Sequence, residues 1–371
     1  MCIITRTNLL HCTLVIYRSD VQLTIIIFNG TALIAIIEHG LRNGNKPNTV
    51  LIRKRNHENR FIWLFALVLI GIASHCTTTT CPEPIVTLEV YEDQMVQIRQ
   101  TLLDHPPNSG DLLIREQTIM SLDDILSVES SRDSANVFEF YAAMMQKVSN
   151  EIDVEVHDGL RIWMMYNHGF IIKTPQNTFA FDLIDGYNGW QRYWSYELPE
   201  NVVNALDVLF ISHQHLDHMD ETLIQKIRAH GGMVIESTPD EPLYINGMKV
   251  DVHLGLHNIE NRIFEVTTTN GFKILHTGDN QTSEALPLIE NIDVLLLNAW
   301  VNESGSTYGT YGMRNCINKL KPTLMIPGHI HELFHDVDSR ANYKWSFYIN
   351  DGSLPSAVQV MAWGECYDVV K

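Results

Sequence analysis

His213-Gln214-His215-Leu216-Asp217-His218 places three imidazoles and a carboxylate within six residues, directly behind the apolar run Val208-Leu209-Phe210-Ile211. An unbroken apolar run of this kind reads as a strand buried on both faces, so polar side chains emerge at its C-terminal end. His213 and His215, two apart, project together from an extended turn. Asp217 and His218 follow as the chain enters a helix expected from about Glu221. Neutral imidazole nitrogen and carboxylate oxygen are good ligands for zinc, manganese or iron, whereas the same crowding without a cation is costly. A His-rich composition does not explain the motif. With 17 His in 371 residues, three specified His positions coincide by chance about once in 10,000 windows.

Outward from this motif, the chain from about Ile152 alternates short strands with helix-like segments. Arg161 to Tyr166, Gly169 to Lys173 and Thr178 to Leu183 read as consecutive strands with turn signals at Asn167, Pro175, Gln176 and Asn177. Asp207 to Ser212, Ile263 to Thr267, Phe272 to His276, Val294 to Asn298 and Thr323 to Ile326 follow as apolar strands. That order predicts a layered α/β fold.

His213-Gln214-His215-Leu216-Asp217-His218 resembles the HxHxDH signature of the metallo-β-lactamase superfamily. The resemblance covers about Ile152 to Lys371. It implies a four-layer αββα sandwich with metal ions at one edge and three further ligands, each at a strand end. Asp279 in Thr277-Gly278-Asp279 and His329 in Pro327-Gly328-His329 match two of them. For the third, His257 falls at the exit of a strand over Val250 to Leu254, whereas its rival His253 lies inside it, so strand-end reasoning favours His257. Carried over, His213, His215 and His257 hold one metal, Asp217, His218 and His329 the other, and Asp279 bridges them.

Two divalent metal ions are thus expected, zinc first, with manganese or iron as alternatives. The function implied is a metal-dependent hydrolase in which a metal-bridged hydroxide cleaves an ester-like bond, such as a phosphoester or lactone, in a small-molecule substrate. Asp217 is the expected catalytic residue, orienting the water or returning a proton to the leaving group. True β-lactamases commonly use a Cys in one metal site, and no Cys stands at a matching position here. Thr277-Gly278-Asp279 and the compact ending look similar to the branch that includes L-ascorbate-6-phosphate lactonase. Pro327-Gly328-His329-Ile330-His331 and the long helical extension depart from that branch. The alternatives are a di-metal oxidoreductase, which lacks an accompanying flavin domain here, and a non-catalytic metal-binding surface protein, against which the complete ligand set counts.

Outside the signature, Asn298, Trp300 and His331 are candidates to line a substrate pocket. His168 reads as structural or close to the site, His335 shares a face with His331, and Tyr308 and Tyr311 sit in a Gly-rich loop suited to a lid.

The remainder sets boundaries. With 44 acidic and 26 basic residues the formal charge is -18, which repels phosphate backbones and argues against nucleic acid as a partner. None of the six Cys residues forms a CxxC pair. Residues 82–151 read as a helical N-terminal extension, with Val137, Phe138, Tyr141, Met144, Met145 and Val148 at spacings of three and four, ahead of the main domain at 152–371. Residues 50–81 resemble a signal peptide: Arg53, Lys54, Arg55 and Arg60 precede the apolar run Phe61 to Ser74. Export to a bacterial periplasm or membrane anchoring is expected, with a cytoplasmic location if this segment is no signal. Cys76 resembles a lipoprotein cysteine, although His75 sits where a small residue is wanted. Residues 1–49 read either as an upstream mis-start or as a membrane segment, with Val21 to Ile37 as the candidate helix.

Overall fold

The computed structural model describes residues 21–28, 31–38, 51–53, 88–301, 309–349 and 352–371. They fall into two compact units, Met1–Thr87 and Leu88–Lys371. In the first, β1 (Val21–Phe28) pairs antiparallel with β2 (Thr31–Glu38), and β3 (Leu51–Arg53) pairs antiparallel with β2. The helix considered over Val21 to Ile37 is therefore not formed. Its many β-branched residues favour extended backbone, and Asn29-Gly30 disfavours a continuous helix. Apart from Leu51–Arg53, the signal-like segment at 50–81, with Cys76, lies outside the described residues, as does Tyr308. Among the described residues no helix is long and apolar enough to cross a membrane.

The second unit opens with three helices, α1 (Leu88–Asp104), α2 (Leu112–Leu126) and α3 (Ala135–Ile152). The stripe on α3 is the one its spacing predicts: Val137, Phe140, Tyr141, Met144, Met145, Val148 and Ile152 are buried. Polar clamps fix these helices to the later chain. Arg115 donates from Nη1 and Nη2 to Oε1 and Oε2 of Glu365 at 2.7 and 2.8 Å, with both side chains buried. Removing one partner of such a buried pair costs about 3–5 kcal/mol. Arg340 adds a second clamp, donating from Nη1 to the Leu126 carbonyl and to Ser131 Oγ.

Two mixed sheets follow. In the first, β4 (Leu160–Met164), β5 (Phe170–Lys173) and β6 (Thr178–Phe181) run antiparallel. From β6 the chain passes through α4 (Glu200–Asn204) to the parallel strand β7 (Val208–Phe210), then through α5 (Glu221–Ala229) to β8 (Met233–Ile235), also parallel. The helix expected at Glu221 starts there because Asp220 caps it, its side chain accepting from the Thr222 and Leu223 amides.

In the second sheet, β9 (Leu243–Ile245), β10 (Met248–Gly255), β11 (Asn261–Thr267) and β12 (Lys273–His276) form an antiparallel meander. The strands β13 (Val294–Asn298), β14 (Leu324–Gly328) and β15 (Ala357–Val358) then add in parallel, with α6 (Thr310–Leu320) between β13 and β14 and α7 (Tyr343–Ile349) before β15. The last strand, β16 (Cys366–Val369), returns to the first sheet and pairs antiparallel with β4. The sheets pack face to face through Phe181 on His276, ring centroids 4.7 Å apart, and Phe210 on Phe264, 5.2 Å apart. This is the αββα sandwich the sequence predicts, with the helical segment ahead of it.

Candidate metal centre

Each residue of the centre leaves a strand at its C-terminal end, on either sheet. Asp182 follows β6, His213 to His218 follow β7, His257 follows β10, Asp279 follows β12, and His329 follows β14. Strand ends deliver side chains from a rigid frame while leaving them free of the sheet's own hydrogen bonding. Two of these turns need special backbone. Gly278 has φ of +50°, and a Cβ there would stand 2.2 Å from Asn261 Oδ1. Gly328 serves close approach. A Cβ on it would lie 2.2 Å from His168 Nδ1, and the left-handed residue is His329 itself at φ 56°.

The structure gathers all seven sequence-predicted ligands into two overlapping tetrads. His213, His215, His257 and Asp279 form one, and Asp217, His218, Asp279 and His329 the other; within each, one ligand atom per residue lies within 4.8 Å of the rest. Asp279 belongs to both. In the first, His213 Nε2 stands 3.0 Å and His257 Nε2 3.4 Å from His215 Nδ1. In the second, Asp217 Oδ2 lies 3.0 Å from His218 Nε2 and 3.3 Å from His329 Nε2. The buried His218 Nε2 and Asp279 Oδ1 are 3.3 Å apart yet neither makes an aligned hydrogen bond, as donors arranged around a shared cation are. The donor set fits two divalent ions. His253, the rival to His257, points elsewhere and meets Glu265 Oε2 at 3.1 Å.

A residue the sequence reading passed over as the end of a hairpin organises the centre from behind. Asp182, fully buried with φ of 43°, accepts from the Ser212 amide at 2.7 Å and from Ser212 Oγ at 2.6 Å. It also meets His218 Nδ1 at 2.7 Å, which leaves Nε2 of that ring for the centre. Its place at the end of an apolar strand, as for the candidate ligands, was the available signal. His168 lies beneath, buried, its ring 4.3 Å from that of His276.

The model of the β-lactamase superfamily domain matches residues 158–329, the span that holds both tetrads. That span is therefore similar to a β-lactamase superfamily domain. No curated sequence matches the chain. Among solved structures, a metallo hydrolase from the archaeon Ignicoccus hospitalis is 14% identical, the match covering 57% of this chain and 99% of that one, at a TM-score of 0.42. An isothiocyanate hydrolase from Delia radicum gut bacteria is 15% identical over 57% of this chain and 99% of that one, also at 0.42. A diiron β-hydroxylase from Streptomyces venezuelae is 14% identical over 59% and 55%, at 0.37.

Electrostatics divide the centre in two. Burial opposes ionisation of Asp217 and Asp279, but the charge of His218 overrides it and holds both well below the usual carboxylate range. In turn, against burial, Asp217, Asp279 and Asp182 hold His218 well above the ordinary imidazole value, and Asp279 with Asp217 pushes His329 up to about 10. His213 goes the other way: burial and the nearby His218 push it down to about 3. Burial also lowers His257. His213 and His257 are therefore neutral imidazoles with lone pairs to offer, and the other half is a carboxylate-rich set that draws positive charge.

Beside the centre opens a cavity of about 280 Å³. His215, Leu216 and Asp217 border it from the signature, and Glu332, Phe334 and His335 from the loop after β14. Tyr166, Ile184, Tyr187 and Asn188 complete its wall. Three sequence candidates are absent from that lining. His331 turns into the protein, where Nε2 meets Asp123 Oδ1 at 2.7 Å, because its left-handed backbone, φ 52°, aims the ring at α2. Asn298 is buried and accepts from the Trp300 amide. Trp300 stacks beside the centre, 5.8 Å from the His329 ring and 4.7 Å from that of His335. Glu332 and Tyr166 were missed in sequence. A carboxylate three residues past a ligand was the only signal for Glu332, and Tyr166, whose OH accepts from the Leu333 amide, carried none.

Proposed function

We propose that this chain is a metal-dependent hydrolase that holds two divalent cations, zinc foremost with manganese or iron as alternatives, and cleaves an ester-like bond in a small-molecule substrate. The observation carrying this reading is the pair of tetrads sharing Asp279 beside an open cavity. His213, His215, His257 and Asp279 would hold one ion, and Asp217, His218, His329 and Asp279 the other. Bound there, such ions acidify water and neutralise charge developing on the oxygen of the bond under attack.

The chain's own groups do the rest. Asp182 and Ser212 fix the rings of His218 and His213, since Ser212 Oγ lies 2.9 Å from His213 Nδ1. Asp217 borders the cavity, so its carboxylate is placed to take a proton from water and return it to the leaving group. The intact set of seven ligands favours catalysis over a retained but inactive fold.

The test is metal content of the full chain by plasma mass spectrometry, beside turnover of ester and lactone libraries. About two equivalents are expected, falling to about one in His215→Ala, with Asp217→Ala losing about 100- to 10,000-fold in turnover. No metal after reconstitution, or unchanged turnover in Asp217→Ala, would overturn the reading. Export is part of the same proposal, resting on Arg53 to Arg60 ahead of the apolar run from Phe61. A periplasmic reporter fused behind residue 87 of the chain would stay silent if that is wrong.

A further inference from the structure

We propose that Glu332 makes the cavity a charge filter, admitting uncharged or amine-bearing substrates whose apolar arm lies against Leu216 and Phe334 and turning away phosphorylated and carboxylated ones. This rests on the hydrolase reading for the reaction and adds the substrate class.

Glu332 belongs to neither tetrad, so bound cations do not claim its carboxylate. The side chain is 2% exposed and held in place by its own loop: Oε1 accepts from the Phe334 amide and Oε2 from the His335 amide, each at 2.8 Å. It cannot swing out to follow a ligand. Among the described residues no Lys or Arg lines the cavity, and the stretch at 302–308 contains neither. Arg340 lies behind the same loop with its donors turned to the carbonyls of His335, Leu333 and Leu126 and to Ser131 Oγ. The imidazole of His335, which also lines the cavity, stands 3.3 Å from Glu332 Oε2.

A phosphate or carboxylate carried away from the scissile bond would thus meet a fixed carboxyl group, which burial and Asp217 hold above the usual carboxylate value and which pH 8 favours in its charged form, and among the described lining residues no guanidinium or ammonium. An ammonium would be attracted. The mouth adds a second preference. Leu216 and Phe334 are 67% and 59% exposed on the cavity's border, apolar surface that gains by covering a ligand's hydrocarbon.

The experiment uses the metal-loaded full chain at pH 8 and three probes of similar size, benzyltrimethylammonium, benzyl alcohol and benzenesulfonate, titrated by calorimetry or ligand-observed NMR. Benzenesulfonate is expected to bind at least about tenfold more weakly than the other two. Glu332→Gln should bring the three within about threefold, tightening the sulfonate and weakening the ammonium. Phe334→Ser, at an exposed position, should weaken all three alike. A sulfonate that binds as tightly as the others, a ranking unchanged by Glu332→Gln, or no binding of any probe would overturn the proposal. A chain that takes up no metal would sink the hydrolase reading instead, leaving the effect of Glu332→Gln on the ranking readable in the same sample.

Discussion

His218 on Asp182 and His331 on Asp123 are the same contact made twice. In each, a buried imidazole meets a buried carboxylate at 2.7 Å. Their chemistry is opposite. His218 faces Asp217 and Asp279 as well as Asp182, and that field holds it far above the ordinary imidazole value in spite of burial. His331 has Asp123 alone, and burial, only partly offset, holds it below that value. Asp123 spends its other contact on the Tyr343 amide, tying α2 to α7, whereas Asp182 spends its others on Ser212 beside the ligands. A buried His–Asp pair is therefore a structural tie or part of a reactive centre according to how many further carboxylates surround it, and the pair geometry alone does not distinguish them.

Removing those further carboxylates breaks the comparison most severely. Asp279→Ala should leave less than one equivalent of metal by mass spectrometry and cut turnover by at least about 1,000-fold; retention of both ions would show that the tetrads do not share it. Next in size, Asp123→Ala strands both the His331 ring and the Tyr343 amide. It should cost about 2–4 kcal/mol in urea unfolding while metal content holds. Loss of metal instead would make the tie part of the centre. Asp182→Asn should weaken metal affinity about 10- to 100-fold in chelator competition with most of the fold's stability kept, and an unchanged affinity would deny it a positioning role.

The smallest effect comes from a third pair of the same kind, His253 with Glu265, at the surface. The His253 contact, joined by Lys273, outweighs burial and lowers Glu265 to about 2. A depressed carboxylate stabilises the fold above its unfolded value near 4.5 and loses that contribution as pH falls toward 2. Glu265→Gln should therefore flatten the acid limb of the stability curve between about pH 4.5 and 2 by less than about 1 kcal/mol after solvent screening. An equal slope in both proteins would remove the pair from the account.

The two candidate tetrads were legible because their signal is local. An apolar strand followed by His or Asp marks His213, Asp279 and His329, and alternation along Val250 to Leu254 separates His257 from His253. The sandwich was legible for the same reason, strand by strand. What escaped depends on partners distant in sequence. His331 shares its apolar surroundings with His329, and only the position of Asp123, 208 residues away, decides that it points inward. The loop of Glu332 meets Tyr166 across a comparable gap, through the Leu333 amide. The hairpin at Val21 to Glu38 escaped for another reason: hydropathy alone scores an apolar run as helix or strand alike, and the β-branched content carries the distinction.

The clamp between Arg115 and Glu365 and the pairing of β16 with β4 bear on how much of this protein can be made alone. The span matched by the superfamily model, 158–329, contains every candidate ligand but omits Arg115, Glu365 and β16. Cut to that length, the chain would bare the edge of Leu160-Arg161-Ile162-Trp163-Met164, four of whose five residues are buried in the intact fold, as a template for strand addition by other molecules. The short fragment would be expected to precipitate rather than to serve as a minimal enzyme, and the smallest soluble unit would run from Leu88 to Lys371.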